Sequence, residues 1–458
     1  MFELEKTFSK AFKRKFTGRY GFLKRLVSSK LLKPWYKLGK RSYKLGKLFC
    51  KEFTSKKNFL GRIAFVRDCV SSLFAAMFVL LCSLFFRIEI WLMEDNVKKL
   101  SHFIEGMEYQ LRLFETSTSD RKVIKFVFWP LEYPNEFLGK RYQKVVTWIF
   151  RTPYLILFIN LLNSEPFLKK ILQKRLKFMK RVVNRQKLEQ LEVFDRGSVS
   201  IKFSRRQINR GKKLEKDLFG ECDSEFVVFA HTSVNYRKQI DVALHRGDNL
   251  LAKVVDSNAF EMLILDLRRK GLGVVRQGLF LDENPILTRA GLVIPNETQL
   301  SPGFADVWLS SRCKLLVTAH TGAYFFTEAF NKPWVMTDAH TFAYPNWSSR
   351  GAVIFCLCWM EDEKRFASFQ WMKENERWCF DKEKVGRTWK IVPNTPEQIV
   401  EVVNEKLARL DGSWVSTKED EDLQRRFQRF VFGEVKDYSF LPRAGTKFLR
   451  DYQHLLPD

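Results

Sequence analysis

The stretch Leu315-Leu-Val-Thr-Ala-His-Thr-Gly-Ala-Tyr-Phe-Phe-Thr-Glu-Ala-Phe-Asn-Lys-Pro-Trp-Val-Met-Thr337 decides the fold. Its apolar run over 315–318 reads as a buried strand, 323–330 as a helix, and 334–337 as the next strand. Upstream the same alternation is already running. FVVFA over 226–230 is a strand, 258–269 a helix ended by Gly271, 273–276 a strand, and 304–311 a helix. Strands that alternate with helices imply a parallel sheet with right-handed crossovers, so this part of the chain is expected to be a doubly wound α/β domain.

In such a domain ligands sit outside the carboxyl ends of the strands. The four ends read His231-Thr232-Ser233, Arg276-Gln277-Gly278, Ala319-His320-Thr321-Gly322 and Asp338-Ala339-His340, so three of the six histidines in the chain stand there. The third end is the most legible. Small residues let backbone N–H groups and a helix N-terminus approach an anion, which suits a diphosphate. Glu328, six residues on, is placed to accept hydrogen bonds from ribose hydroxyls; a solvated helix charge is the alternative.

Composition bounds the rest. The 458 residues are 45% hydrophobic and 29% charged, with 43 Phe and a net charge of +27, which excludes a disordered acidic or basic chain. Residues 1–62 hold nineteen Lys/Arg against Glu3, Glu5 and Glu52, a net +16. This arm repeats Tyr36-Lys-Leu-Gly-Lys40 as Tyr43-Lys-Leu-Gly-Lys47 and is followed by the apolar run CVSSLFAAMFVLLCSLFF over 69–86. The pair is expected to form an interfacial basic helix and a membrane-embedded helix, with a solvated tail and a buried core helix as alternatives. A second apolar stretch, 146–162, is interrupted by Arg151 and Pro153 and reads as an interfacial or core helix; 167–216 is again basic with helical periodicity through Leu168, Ile171, Leu172, Leu176 and Phe178.

Several motifs fail. Eight cysteines without a CxxC pair indicate reduced thiols and no structural zinc. Gly271-x-Gly273-x-x-Arg276-x-Gly278 is misplaced for a dinucleotide fingerprint, no Walker loop or GxSxG occurs, and Asp420-Glu421-Asp422 opens a terminal helix far from any strand end. No metal site and no cofactor are expected. The sequons at Asn296 and Asn346 matter only in a lumenal chain.

Residues 226–342 resemble a group of bacterial glycosyltransferases with a GT-B-like fold, distantly similar to fucosyltransferases. The resemblance rests on the strand ending in His231, Asn258-Ala259, Gly271, Val274-Val275-Arg276-Gln277-Gly278, Ser301, Asp306, Leu309, Cys313, Thr318-Ala319-His320-Thr321-Gly322 and Phe330-Asn331-Lys332-Pro333. It extends to Asn394-Thr-Pro-Glu-Gln-Ile399, where Thr395, Pro396 and Gln398 also form a capping box, and weakly to 123–137. It covers about half of the chain. The family places Arg two positions after its histidine, where this chain has Ser233.

The resemblance implies an α/β, GT-B-like chain with two Rossmann-like halves, preceded by a basic membrane-associating helical region. The expected domains are 1–94, the arm and apolar helix; 95–220, an acceptor-side domain; 221–415, the nucleotide-sugar-binding domain; and 416–458, a helical tail packing back. The implied activity is metal-independent hexosyl-type transfer from a nucleotide sugar to a glycan or lipid-linked acceptor. His231 and Arg276 are the expected catalytic residues, His231 as base or as donor to phosphate; Thr232, Asn258, Gly278, Asp306, His320, Thr321, Gly322, Glu328 and Lys332 are the expected donor-binding set. An anionic membrane surface is an expected partner, nucleic acid is not, and the active domain is expected on the cytoplasmic face. The competing reading is a degenerate scaffold, or a polyanion- or nucleic-acid-binding membrane protein that uses the arm.

Overall fold

The computed structural model describes residues 78, 87–92, 100–116, 123–128, 135–145, 148–150, 176–180, 192–195, 197–220, 224–231, 256–278, 284–295, 303–319, 321–342, 348–375 and 388–457. The arm over 1–62, nearly all of the 69–86 run and both sequons lie outside them. Among the described residues, no helix is long and apolar enough to cross a membrane.

The chain divides into two compact units, one made of 1–94, 120–131 and 146–181, the other of 95–119, 132–145 and 182–458. The first holds a four-stranded parallel sheet of β1 (Arg87–Leu92), β2 (Val123–Phe128), β3 (Trp148–Phe150) and β4 (Leu176–Lys180), in the order β3-β2-β1-β4. Three expectations change here. Residues 87–92, inside the expected arm-and-apolar-helix segment, are an inner strand of this sheet, and the unit they belong to continues beyond 94 through 120–131 and 146–181. Trp148–Phe150 is a strand where a helix was expected to begin, and Leu176 and Phe178 lie on a strand and not on a helix. Alternate spacing over two residues fits both periods, and ladder pairing with β1 decides it.

The second unit contains α1 (Leu100–Thr116), α2 (Glu136–Val145), α3 (Arg205–Phe219) and a seven-stranded sheet. Its strands are β5 (Phe226–Ala230), β6 (Gly273–Arg276), β7 (Leu292–Val293), β8 (Leu315–Ala319), β9 (Trp334–Ala339), β10 (Gly351–Phe355) and β14 (Arg443–Ala444), all parallel, in the order β7-β6-β5-β8-β9-β10-β14. Chain order reverses between β5 and β8. The connecting helices are α4 (Glu261–Arg269), after a 3₁₀ turn over Ser257–Phe260, then α5 (Pro285–Arg289), α6 (Phe304–Arg312) and α7 (Tyr324–Ala329). The expected strands and helices are thus present to within a few residues.

After β10 comes a small antiparallel sheet of β11 (Leu357–Met360), β12 (Arg365–Phe366) and β13 (Trp389–Val392), with α8 (Phe369–Glu374), which the sequence did not announce. Helix α9 (Pro396–Leu410) starts with the predicted capping box of Thr395 and Gln398 and buries Ile399, Val402, Val403 and Leu407. Residues 416–458 are more than a helical tail. Between α10 (Lys418–Phe432) and α11 (Thr446–Asp451), β14 joins the sheet beside β10, so no boundary falls at 415. The supposed metal motif serves as structure: Asp420 takes two hydrogen bonds from Arg450, and Glu421 two from Arg443.

The inner strands of the larger sheet are mostly apolar, as covering both faces requires. Val227, Val228, Leu316, Val317 and Val335 are fully buried. One buried cation ties the helices to this core. Arg112 on α1 donates to Glu108 (3.1 Å), to the Phe194 carbonyl (2.6 Å), to Asn331 Oδ1 (2.7 Å) and to the carbonyls of Glu328 (2.8 Å) and Ala329 (3.1 Å). It satisfies the open carbonyls at the end of α7, where Asn331 turns the chain with φ 55°. Glu108 also accepts from Tyr142 on α2 at 2.9 Å. Removing Arg112 leaves the Glu108 carboxylate buried without its cation and takes a donor from four further oxygens, of which the Phe194 carbonyl keeps Arg350. Arg112→Leu is expected to lower stability by about 3–5 kcal/mol, read as a shift in the urea midpoint.

Candidate functional site

A parallel sheet has two unlike edges. Every βα loop leaves on the carboxyl edge, and the reversal between β5 and β8 opens a crevice there, because the flanking connections run to opposite faces.

Around that crevice the structure gathers part of the predicted set. His231 follows β5 and Arg276 ends β6; Arg276 is 3% exposed and its Nη2 lies 3.5 Å from His231 Nδ1. A guanidinium only donates, so Nδ1 is the acceptor and the proton of a neutral ring is on Nε2. Gly278 holds φ 139°, and a Cβ there would meet open space. Its N–H donates to Asp306 Oδ1 at 3.3 Å. At the end of β8, the Thr318 and Thr321 hydroxyls are 2.7 Å apart, and Thr321 Oγ1 accepts from the N–H of Ala323. Gly322 lies in the same turn. With only six residues, α7 brings a short dipole, so local N–H groups and hydroxyls are what this loop offers an anion.

Asp306 is placed differently from its expected role. It is 5% exposed, its carboxylate holds Gly278, and its carbonyl accepts from Gln277 Nε2 at 3.3 Å, which also donates to Ser310 Oγ at 2.9 Å. Asp306, Gln277 and Ser310 therefore clamp the end of β6 onto α6. Asn258 stands on the same edge, in the 3₁₀ turn ahead of α4, where it is exposed and accepts from Asn284 at 3.2 Å. Thr232 and His320 lie outside the described residues.

Two predicted donor ligands are on the other edge. Glu328 is fully buried and accepts from Trp334 Nε1 (2.5 Å), Ser348 Oγ (2.5 Å) and Arg350 Nη2 (3.0 Å), groups at the starts of β9 and β10. Lys332 precedes β9 and acts electrostatically on Cys313, which precedes β8 and whose thiol burial pushes up to about 12. Helix α7 carries the chain from the carboxyl edge back to the amino edge, so neither residue can reach a ligand in the crevice. Glu328 is a structural hub and not a ribose ligand.

Sequence reasoning missed one arrangement. Asp338, at the end of β9, has φ 51° and is 2% exposed. Its N–H donates to Asn394 Oδ1 at 2.6 Å, its Oδ1 accepts from the Asn394 N–H at 2.8 Å, and Asn394 Nδ2 donates to the Phe355 carbonyl at 2.9 Å. His340 Nδ1 lies 2.9 Å from the Asp338 carbonyl. A buried acid in left-handed backbone is the kind of strain stored beside functional sites. Asp-Ala-His marked the strand end, but nothing in the sequence paired it with Asn394, 56 residues away.

No protein-family model matches the chain, and no curated protein matches it. Among solved structures it is similar to ADP-heptose lipopolysaccharide heptosyltransferase II of E. coli, with 13% identity over 70% of this chain and 99% of that one and a TM-score of 0.39. It is also similar to a family 9 glycosyl transferase from Veillonella parvula, with 11% identity, 59% and 86% coverage and a TM-score of 0.37. A third is E. coli heptosyltransferase WaaC with ADP-2-deoxy-2-fluoro heptose, with 11% identity, 58% and 92% coverage and a TM-score of 0.31. The expected similarity to fucosyltransferases has no counterpart among these three. At these scores the functional reading rests on the chain's own geometry.

Burial pushes the Asp338 carboxyl up to about 6, against the Asn394 N–H, which pulls it down. The folded chain then holds this proton more tightly than the unfolded chain, so stability falls as pH rises from about 4 to 6 and stays at the lower level above that. Asp338→Asn keeps an acceptor for Asn394 and removes the charge. It is expected to raise stability at pH 7 by about 1–2 kcal/mol and to flatten the pH 4–6 region, read by urea titrations across that range.

Proposed function

We propose that the crevice binds the diphosphate of a nucleotide sugar and that the chain transfers the sugar to a hydroxyl of a glycan or lipid-linked acceptor. The observation that carries this reading is the pairing of buried Arg276 with His231 at the point where strand order reverses, beside the open Gly278 and the Thr318-Thr321 hydroxyls. Two parallel sheets that each begin in the order 3-2-1-4, as the Rossmann-like halves of a GT-B-like chain would, support the same reading.

In the proposed reaction the acceptor oxygen forms a bond to the sugar's anomeric carbon while the bond from that carbon to the diphosphate oxygen breaks. The hydroxyl proton passes to an oxygen of the departing diphosphate, which also takes the electrons of the broken bond. Arg276 neutralises the growing negative charge, which makes metal independence part of the proposal. With Arg276 on the side of Nδ1, the proposal gives His231 the second of its two expected roles, donation from Nε2 to a phosphate oxygen. Asp306 is a positioning residue that sets the Gly278 N–H. Hexosyl-type transfer, a GT-B-like fold, association with a membrane and an active domain on its cytoplasmic face belong to the same proposal.

The test is calorimetry on the full chain with a panel of nucleoside diphosphates and nucleotide sugars. One nucleotide family is expected to bind; Arg276→Ala weakens it at least tenfold, while Lys332→Ala, on the opposite edge, leaves it within twofold. A folded chain that binds none of the panel overturns the reading. His231→Gln retains a donor near Nε2 and is expected to keep nucleotide affinity within threefold, whereas His231→Ala loses about tenfold. Retained affinity with abolished turnover in His231→Gln would assign His231 as the base instead.

A further inference from the structure

Helix α3 is divided lengthwise by charge. Its sequence, RRQINRGKKLEKDLF, carries six cations and two acids. Arg205, Arg206, Lys212, Lys213 and Lys216 are exposed and share one face with Asn209, and the only exposed acid, Asp217, is at its rim. At 100° per residue these five cations lie within one third of the helix circumference, and from Arg205 to Lys216 the row runs about 17 Å.

The opposite face is pinned. Gly211 lies so close to the Trp308 ring that a Cβ would approach it to 2.0 Å, Leu214 is buried, and buried Glu215 accepts from Trp308 Nε1 at 2.9 Å. Arg210 lies over the Phe304 ring at 5.1 Å. The helix cannot turn its cations inward. They are presented as a rigid row that starts beside Phe304, near the carboxyl edge of the sheet, and ends at Phe219, which packs on Phe226 at the amino edge.

We infer that the exposed face of α3 is a docking surface for a membrane rich in anionic lipid headgroups. Clustered Lys and Arg on one face of a helix are attracted to a plane of negative charge. Ile208, 38% exposed, flanks the row and adds a shallow apolar contact. A nucleic acid is the weaker match, because the face has no aromatic side chain on which a base could stack. The arm over 1–62 adds a second basic segment in the sequence, net +16, and each Lys or Arg near an anionic surface adds its own increment of attraction. The inference rests on the charge and rigidity of α3 and stands apart from the transferase reading; joined to it, the face would bring the mouth of the crevice to a lipid-linked acceptor.

The experiment is sedimentation of the full chain with phosphatidylcholine vesicles, with and without 30% phosphatidylglycerol, the latter fraction being about what makes a bilayer strongly anionic. The variant carries Arg205→Gln, Arg206→Gln, Lys212→Gln, Lys213→Gln and Lys216→Gln; the charge-matched control carries Lys390→Gln, Lys418→Gln, Arg425→Gln, Lys436→Gln and Lys447→Gln, all exposed positions away from α3. The expected result is binding to the anionic vesicles that falls at least tenfold in the α3 variant and less than threefold in the control. Equal losses in the two, or no loss in either, overturn the inference. So does a chain that ignores the vesicles but retains a single-stranded oligonucleotide through α3. A fluorophore attached through Asn209→Cys, read against the unsubstituted labelled chain, is expected to shift to the blue on the anionic vesicles; no shift counts against the inference. Nucleotide calorimetry on the α3 variant is expected to be unchanged, so failure here and failure of the transferase reading are distinguishable.

Discussion

Seven strands of the larger sheet point the same way, and this single alignment assigns every loop residue to one of two edges. Residues that follow a strand share the carboxyl edge, whatever their distance in sequence. Residues that precede one share the amino edge. His231, Arg276, Gly278, Asp306, Thr321 and Gly322 fall on the first, and the reversal between β5 and β8 opens a space among them that a regular run of crossovers would have closed. Glu328 and Lys332 fall on the second. The turn after β8 and helix α7 carry the chain away from the carboxyl edge, and both residues stand just ahead of β9.

The amino edge has its own logic. Arg112 and Arg350 converge on the Phe194 carbonyl and on Glu328, the first through the helix-end carbonyls and the second through the carboxylate. Two guanidinium groups, with up to ten donors between them, satisfy groups from α1, α7 and the approaches to β9 and β10 that would otherwise be buried without partners. Such networks cost much to break because each remaining member keeps its burial and loses its partner. The chemistry of one edge is therefore held in register by polar packing at the other.

Two further features differ from each other in character. On the carboxyl edge polar groups are drawn together by backbone geometry: Gly278 at φ 139° and Asp338 at φ 51° both occupy conformations that an ordinary strand end avoids. On α3 five exposed cations share one face, which the contact of Gly211 with Trp308 on the opposite face holds outward. The first arrangement suits a small anion held at one point, and the second suits an extended field of charge.

By itself the sequence determined strands β5, β6, β8 and β9 and helices α4, α6 and α7, though not the short α5 and β7 between them, together with the capping box at Thr395 and the set of polar residues that follow strands, because period, apolar runs and caps are local properties. It could not determine which of two compatible periods Leu176 and Phe178 follow, nor that Arg443–Ala444 closes the sheet beside β10, because these depend on pairing with distant strands. Nor could it sort Glu328 and Lys332 from their neighbours in the same motif, or join Asp338 to Asn394 and Arg276 to His231. Those choices belong to the tertiary structure alone: strand direction sets the edge a side chain occupies, and only the closed sheet brings its ends within hydrogen-bonding distance.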